Sequence, residues 1–173
     1  MTAIVKRRGD LARSRKDGSA GSGASRTRDN EKRVEYLAFV LAGDTYAVRI
    51  AVVGEIVRPP PITEVPRAPS PIIGVTSVRG RLVTVMDLRR RFALPEAPID
   101  GKTRILLVQV DGDEHVGLLV DEVLSVFRLA ESEIEGATVL GGEQPAYLAG
   151  VGRPKERKDL VLVLLDLRAA IAS

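Results

Sequence analysis

Residues 74–89, GVTSVRGRLVTVMDLR, decide the fold, because their pattern returns once further along the chain. Gly150-Val151 opens the second copy. Val161-Leu162-Val163-Leu164-Leu165 stands where the first copy has Val83-Thr84-Val85-Met86, and Asp166-Leu167-Arg168 stands where it has Asp87-Leu88-Arg89. Each copy ends on a strand followed by an aspartate placed to cap a short helix, so Asp87 and Asp166 are predicted structural caps. The copies lie 76 to 79 residues apart, which points to two similar subdomains rather than one sandwich. Strands this short and aliphatic close best as small barrels, because closure removes exposed sheet edges. The expected architecture is mainly β, with two five-stranded barrels packed together.

Working outward, the period is two from Glu35 onward. Leu37, Phe39 and Leu41 alternate with Tyr36, Ala38 and Val40, Gly43-Asp44 marks a turn, and Tyr46, Val48 and Ile50 continue beyond it. A third apolar run, Val52 to Val57, stops at Pro59-Pro60-Pro61, since proline cannot donate to a ladder. Arg79-Gly80 reads as a hairpin tip, Leu82 to Met86 as a strand, and Leu88 to Phe92 as a short helix. In the second half Arg104 to Val110 is a strand, Asp111-Gly112 a two-residue hairpin signal, and Val116 to Val120 its return. Val123 to Leu129 and Leu160 to Leu165 are the remaining strands. The first barrel is expected over roughly 34–95 and the second over 102–172, with strand exchange between them allowed.

Composition narrows the function. Aromatic residues are 3 % of the 173, and tryptophan and cysteine are absent. The lack of cysteine removes disulfides, thiolate metal sites and a thiol nucleophile, and fits a reducing compartment, so a cytoplasmic location is expected. No apolar run follows Lys6-Arg7-Arg8 to make a secretory signal, and none reaches the length of a membrane span. Residues 1–33 hold ten Lys or Arg against four acids, a charge of +6, while the rest carries −3. This Gly/Ser-rich segment has almost nothing to bury and reads as a disordered basic tail. It is either a solubilising extension or a tether to phosphate-bearing surfaces.

Catalytic chemistry cannot be assembled from these residues. The one histidine, His115, follows Asp111-Gly112-Asp113-Glu114 at a predicted hairpin tip, where it reads as an exposed turn residue with no triad partner. The three carboxylates beside it lack the spacing of a calcium loop. No dinucleotide, phosphate-loop or kinase signature is present, so no cofactor and no metal are expected. Glu55 and Arg79 stand out instead: each is a charge inside an apolar segment, and must face solvent or a partner.

The stretch from Tyr36 to Phe92 resembles the first half of the CheW-type chemotaxis coupling proteins. Phe39-Val40-Leu41, Tyr46, Val53-Gly54-Glu55-Ile56, Ile62-Thr63-Glu64-Val65-Pro66, Gly74-Val75-Thr76-Ser77-Val78-Arg79-Gly80 and Val85-Met86-Asp87-Leu88-Arg89 occupy the places of that family's motifs. Thr103 to Val108, Val116 to Asp121 and Leu164 to Leu167 resemble its later strands, so the likeness covers about 34–172. It implies SH3-like barrels and a non-catalytic adaptor joining chemoreceptor cytoplasmic tips to the regulatory domain of a CheA-type histidine kinase. It also implies recruitment to membrane-associated receptor arrays without insertion in the membrane. In the family a groove between subdomains receives the receptor's helical hairpin, and the carry-over places Val53, Glu55, Gly74, Arg79 and Gly80 at or near it. The first barrel's exposed strands would meet the kinase. Ser77 and Val78 depart from the family's usual Asn and Leu, so a divergent subunit that binds receptor but not kinase is an alternative. The rival of another class, a nucleic-acid-binding barrel using the basic tail, suits neither the acidic body nor the shortage of aromatics.

Overall fold

A computed structural model describes residues 31–172, and the stretch read as a basic tail lies outside the described residues up to position 30. The first strand already begins at Arg33, the last residue assigned to that tail. The strands are β1 (Arg33–Leu41), β2 (Asp44–Arg49), β3 (Val53–Val57), β4 (Ile72–Val78), β5 (Arg81–Asp87), β6 (Arg104–Gln109), β7 (His115–Val120), β8 (Glu122–Ala130), β9 (Ile134–Gly136), β10 (Leu148–Gly152) and β11 (Leu162–Leu165). Two short helices, α1 (Leu88–Arg91) and α2 (Leu167–Ile171), follow the two copies of the repeat.

The hairpins trade places. One sheet runs β3-β6-β7-β5-β4 and the other β8-β1-β2-β11-β10-β9, giving two SH3-like subdomains that do not coincide with the two halves of the sequence. β1 and β2, from the first half, complete the sheet of the second, and β6 and β7 do the reverse. The exchange allowed in the sequence reading is therefore one whole hairpin each way, and the boundaries at 95 and 102 separate repeats, not barrels. One sheet also has six strands and not five, because the three-residue β9 pairs with β10.

Apart from β9, the two sheets correspond strand for strand. In each, a strand of the repeat pairs in parallel with the second strand of the exchanged hairpin: β5 with β7, and β11 with β2. Each repeat carries a bulge at the same point, before Gly74 in β4 and before Gly150 in β10. Each closes on an aspartate whose carboxylate accepts a backbone N–H of the following helix: Asp87 from Arg89 at 2.8 Å, Asp166 from Ala169 at 3.2 Å.

Why the apolar runs are unbroken now has a physical reason. A strand with one buried face alternates; Tyr36-Leu37-Ala38-Phe39 and Ile105-Leu106-Leu107-Val108 are buried on both. Leu37, Phe39, Leu106 and Val108 enter a central core between the sheets, with Val48, Leu88, Leu118 and Leu167. Tyr36 and Ala38 line the interior of the six-stranded subdomain with Leu129 and Leu162, while Ile105 and Leu107 line the other with Val83 and Val85.

Polar groups lock the exchange. Asp121, at the crossover from β7 to β8, accepts two hydrogen bonds from Arg89 of α1, one to Oδ1 at 2.6 Å and one to Oδ2. Its Oδ2 also accepts the Ala42 N–H at 2.8 Å. Ala42 and Gly43 form the turn of the β1–β2 hairpin, one residue earlier than Gly43-Asp44, and Ala42 sits at φ 48°, a region that costs a residue with a Cβ about 1 kcal/mol or more. The Asp121 bond offsets that strain. Arg91 reaches from α1 to the last carbonyls of α2, Ala170 at 2.6 Å and Ala172 at 2.9 Å, where a cation suits the helix terminus.

The sequence reading differs from the structure in three further places. The β6–β7 connection is a five-residue loop, 110–114, because Val110 N–H bonds Glu114 O and Glu114 N–H bonds Asp111 O. α1 ends at Arg91, and Phe92 is its C-terminal cap. The polar segment after β8 holds two 3-10 turns and β9.

Replacing Asp121 by Ala is expected to cost about 2–4 kcal/mol in chemical denaturation, since it leaves a mostly buried guanidinium unpaired and frees the strained Ala42 turn. A loss below about 0.5 kcal/mol would show that the crossover carries no such lock. Glu133 supplies a pH test. Burial alone would raise its carboxyl, but the N–H groups of Ala130 (2.7 Å) and Lys155 (2.8 Å), with Arg33 at 3.2 Å, outweigh it and hold the group below its ordinary 4.5. The depressed folded pKa means stability present above pH 4.5 and lost as pH falls through the lower folded value. Glu133→Gln is therefore expected to be less stable than the parent at pH 7 by about 1–3 kcal/mol, and urea titrations should show the gap closing below pH 4.5.

Candidate interaction cleft at the Glu55–Arg79 pair

Arg79 and Gly80 form a two-residue turn between β4 and β5 with φ of 51° and 78°. Both central residues are left-handed, the geometry that matches strand twist in a tight hairpin. The turn carries the guanidinium out over β3, where Glu55 faces it. Arg79 Nε donates to Glu55 Oε1 at 2.9 Å and Oε2 at 3.1 Å, and Nη2 to Oε1 at 2.6 Å. This is a forked, charge-assisted pair, and the hydrogen bond and charge of Glu55 raise the pKa of Arg79 further. The Arg79 side chain is 78 % exposed and that of Glu55 32 %, so the pair stands at the surface.

A cleft opens beneath it. Val78, Val83 and Leu107 supply apolar wall and floor, with Arg81, Gln109 and His115 on the rim. Val83 and Leu107 belong to the interior core of the five-stranded subdomain, so the cleft opens onto the end of that core. Every lining strand belongs to one sheet, and the cleft lies within one subdomain rather than between two. Among the described residues no three His, Cys, Asp or Glu side chains gather to hold a metal.

The five residues named from the sequence do not all meet. Glu55 and Arg79 bond directly, with Gly80 beside them. Val53 is at the other side of the β3 bulge, paired with Val108 and packed on the central core. Gly74 is buried at the far end of β4, where a Cβ would lie 2.2 Å from the Thr63 carbonyl oxygen. That oxygen accepts the Val75 N–H at 2.8 Å, so Gly74 lets the segment after the prolines cross over β4. Its twin Gly150 does the same beneath Glu135 O, at 2.5 Å. Ser77 is exposed and opposite Leu82, a leucine 74 % in solvent.

Sequence reading missed the lining role of Leu107, Gln109 and His115. His115 is not a turn residue: it opens β7 opposite Gln109, is half-buried, and its Nδ1 lies 2.8 Å from Asp113 O. Only the pairing of β3 with β6, a contact between distant segments, brings these residues to Glu55, and no local pattern signals it.

Comparison with known proteins agrees with this frame. Residues 35–173 match the model of the CheW-like domain. The chain belongs to the CheW-like family. The chemotaxis protein CheW of Bacillus subtilis is 39 % identical over 135 residues, 78 % of this chain and 85 % of that protein. The CheW of Helicobacter pylori is 29 % identical over 155 residues, 90 % of each chain. The crystal structure of the scaffolding protein TtCheW from Thermoanaerobacter tengcongensis superposes with a TM-score of 0.73 at 27 % identity, covering 82 % of this chain and 94 % of that one. Family membership carries with it the role of a chemotaxis coupling adaptor.

Stability measurements separate the two kinds of residue in the motif. Gly74→Ala is expected to cost about 2 kcal/mol or more, because backbone must move to admit the Cβ. Arg79→Ala, at an exposed tip, should leave the melting temperature where it is. Equal melting temperatures for both variants would remove the close approach at Thr63 as the reason for glycine.

Proposed function

We propose that this CheW-like adaptor is non-catalytic and couples the cytoplasmic tips of chemoreceptors to the regulatory domain of a CheA-type histidine kinase. The observation that carries the receptor half is the Glu55–Arg79 pair poised over an apolar-floored cleft. An apolar floor suits the buried face of a helix, and a forked charge pair at the rim fixes its register. In this reading Glu55, Arg79 and Gly80 touch the receptor, with Leu82 adding exposed apolar surface beside them. Val53 and Gly74 act behind the surface by holding β3 and β4.

The kinase half draws support from the outer strand β3, which has a sheet neighbour on one side only and exposes Ile56. A free strand edge with apolar side chains beside it is a docking edge. Holding receptor and kinase on one small body makes their encounter intramolecular at high effective concentration, which raises signalling output without chemistry. Among the described residues no helix is long and apolar enough to cross a membrane, and the adaptor is read as cytoplasmic and drawn to membrane-associated arrays by its receptors. The nucleic-acid reading draws no support from the fold, since all six aromatic side chains are buried or half-buried and none is presented for base stacking.

Pull-down of a receptor cytoplasmic fragment and, separately, of the kinase regulatory domain by the full chain should capture both. Capture of receptor alone would favour the kinase-blind subunit. Arg79→Glu should weaken receptor capture at least about tenfold, a change of about 1.4 kcal/mol, with kinase capture unchanged. The charge-swapped Glu55→Arg/Arg79→Glu protein rebuilds the internal pair; if it also restores receptor binding, the pair acts through structure and not through contact.

A further inference from the structure

One departure from the correspondence between the two sheets leaves a hollow. Parallel pairing matches Thr84↔Val116 in one subdomain to Val163↔Tyr46 in the other. The Asp87 N–H donates to Pro71 O and the Asp166 N–H to Tyr147 O, both at 2.8 Å, so Pro71 is the counterpart of Tyr147. Five residues beyond each capping aspartate stand Phe92 and Ile171. In one subdomain these positions hold a file of rings: Tyr46 to Phe92 with centroids 6.0 Å apart, and Phe92 to Tyr147 at 4.2 Å. In the other they hold Val116, Ile171 and Pro71. The space the rings would fill is an open hollow of about 520 Å³, walled by Pro71, Ile72, Thr84, Met86, Val116 and Ile171.

We propose that this hollow is a docking site for one aromatic side chain presented by a different protein on a basic segment. The ring follows from the twin site, where the same backbone frame closes on stacked aromatics. The basic flank follows from the rim. Arg91 lies there, hydrogen-bonded to the α2 carbonyls, and Arg168 reaches Asp111 at 4.0 Å, whereas Asp113 and Glu114 on the same loop have no ion-pair partner among the described residues. Asp111, Asp113 and Glu114 against Arg91 and Arg168 leave the mouth with a net negative charge.

Within residues 1–173 no ring is left over to fill the hollow. Phe39, Tyr46, Phe92 and Tyr147 form the internal file, and Tyr36 and Phe127 pack in the core of the six-stranded subdomain. Residues 1–30 contain no aromatic. Neither the chain's own N-terminal segment nor a second copy has a ring to offer. The hollow shares no lining residue with the Glu55–Arg79 cleft, and the proposal stands apart from the receptor and kinase reading.

The test is methyl NMR on the full-length protein titrated with three probes: acetyl-Lys-Phe-Lys-amide, acetyl-Lys-Ala-Lys-amide and acetyl-Glu-Phe-Glu-amide. The first should move the methyls of Ile72, Val116 and Ile171 saturably with a dissociation constant in the millimolar range, as a single-ring contact implies. The other two should bind at least about fivefold more weakly. Ile171→Phe and Val116→Tyr install the twin's residues and should abolish the shifts while leaving the melting temperature unchanged or higher. Should Val116→Tyr fail to fold, Ile171→Phe, at a half-buried position near the chain end, carries the test. Absence of shifts at these methyls up to about 10 mM, equal affinity for the Phe and Ala peptides, or unchanged binding in the folded filled variants would overturn the proposal. Equal affinity for the Lys and Glu peptides would overturn its basic-segment part.

Discussion

The central core, where Leu37, Phe39 and Val48 of one exchanged hairpin meet Leu106, Val108 and Leu118 of the other, is the contact on which the rest depends. Each hairpin is buried on both faces: one face lines the interior of a foreign subdomain, the other forms the seam. Full burial of each such side chain is worth about 1.5–3 kcal/mol, and neither subdomain can collect its share alone, because each lacks its middle strands until the other half is in place. Two barrels joined by a linker could move apart. Two barrels that have exchanged hairpins cannot, and the Asp121–Arg89, Asp121–Ala42 and Arg91–α2 contacts tie α1 to the crossover and to the other half.

That rigidity determines what the surface can do. The Glu55–Arg79 cleft is built from β3, the β4–β5 turn, β6 and β7, and its floor is the end of a core, so it exists before any partner arrives. An exposed ion pair adds little to stability, which leaves both charges free to be traded for a partner's. A partner that offers a matching charge exchanges one forked pair for another, and its net gain comes from covering Val78 and Leu107. Charge then sets the register and apolar area sets the affinity.

How much of this was legible in the sequence depended on the range of the contact involved. The β1–β2 and β4–β5 hairpins, the Asp87 and Asp166 caps and the doubling of the repeat are local patterns, and all were readable. Which hairpin joins which sheet was not, because a repeat identifies equivalent units and says nothing about whether a unit folds on itself or on its twin. The unbroken apolar runs at 36–39 and 105–108 were a signal of two-sided burial; read as ordinary alternation, they lost that meaning. Gly74 was assigned to the surface because the motif containing it reaches the surface, yet its reason for being glycine is a carbonyl of Thr63 arriving from eleven residues upstream. His115 was misread for the mirror reason: the acidic loop before it looked like a two-residue turn and extended the turn by one residue too many.

The doubled frame also separates what folding demands from what it leaves free. Features the fold needs occur in both copies: the bulge, the close-approach glycine, the capping aspartate, the parallel pairing. Features present in one copy only are of two kinds: structural locks such as Asp121–Arg89, and groups that bear no load in the fold. The register places Ser125 of β8 where β3 has Glu55, and the two-residue turn bearing Arg79 is replaced between β10 and β11 by residues 153–161, so the charge pair has no counterpart. The hollow at Val116 and Ile171 is likewise the place where one copy has lost the rings that fill the other. Since the same backbone closes without either feature in its twin, neither is required for closure. A surface charge pair above an apolar floor and an unfilled ring site are two departures from the internal symmetry that do nothing for closure, and they are where the proposed contacts with partners are sited.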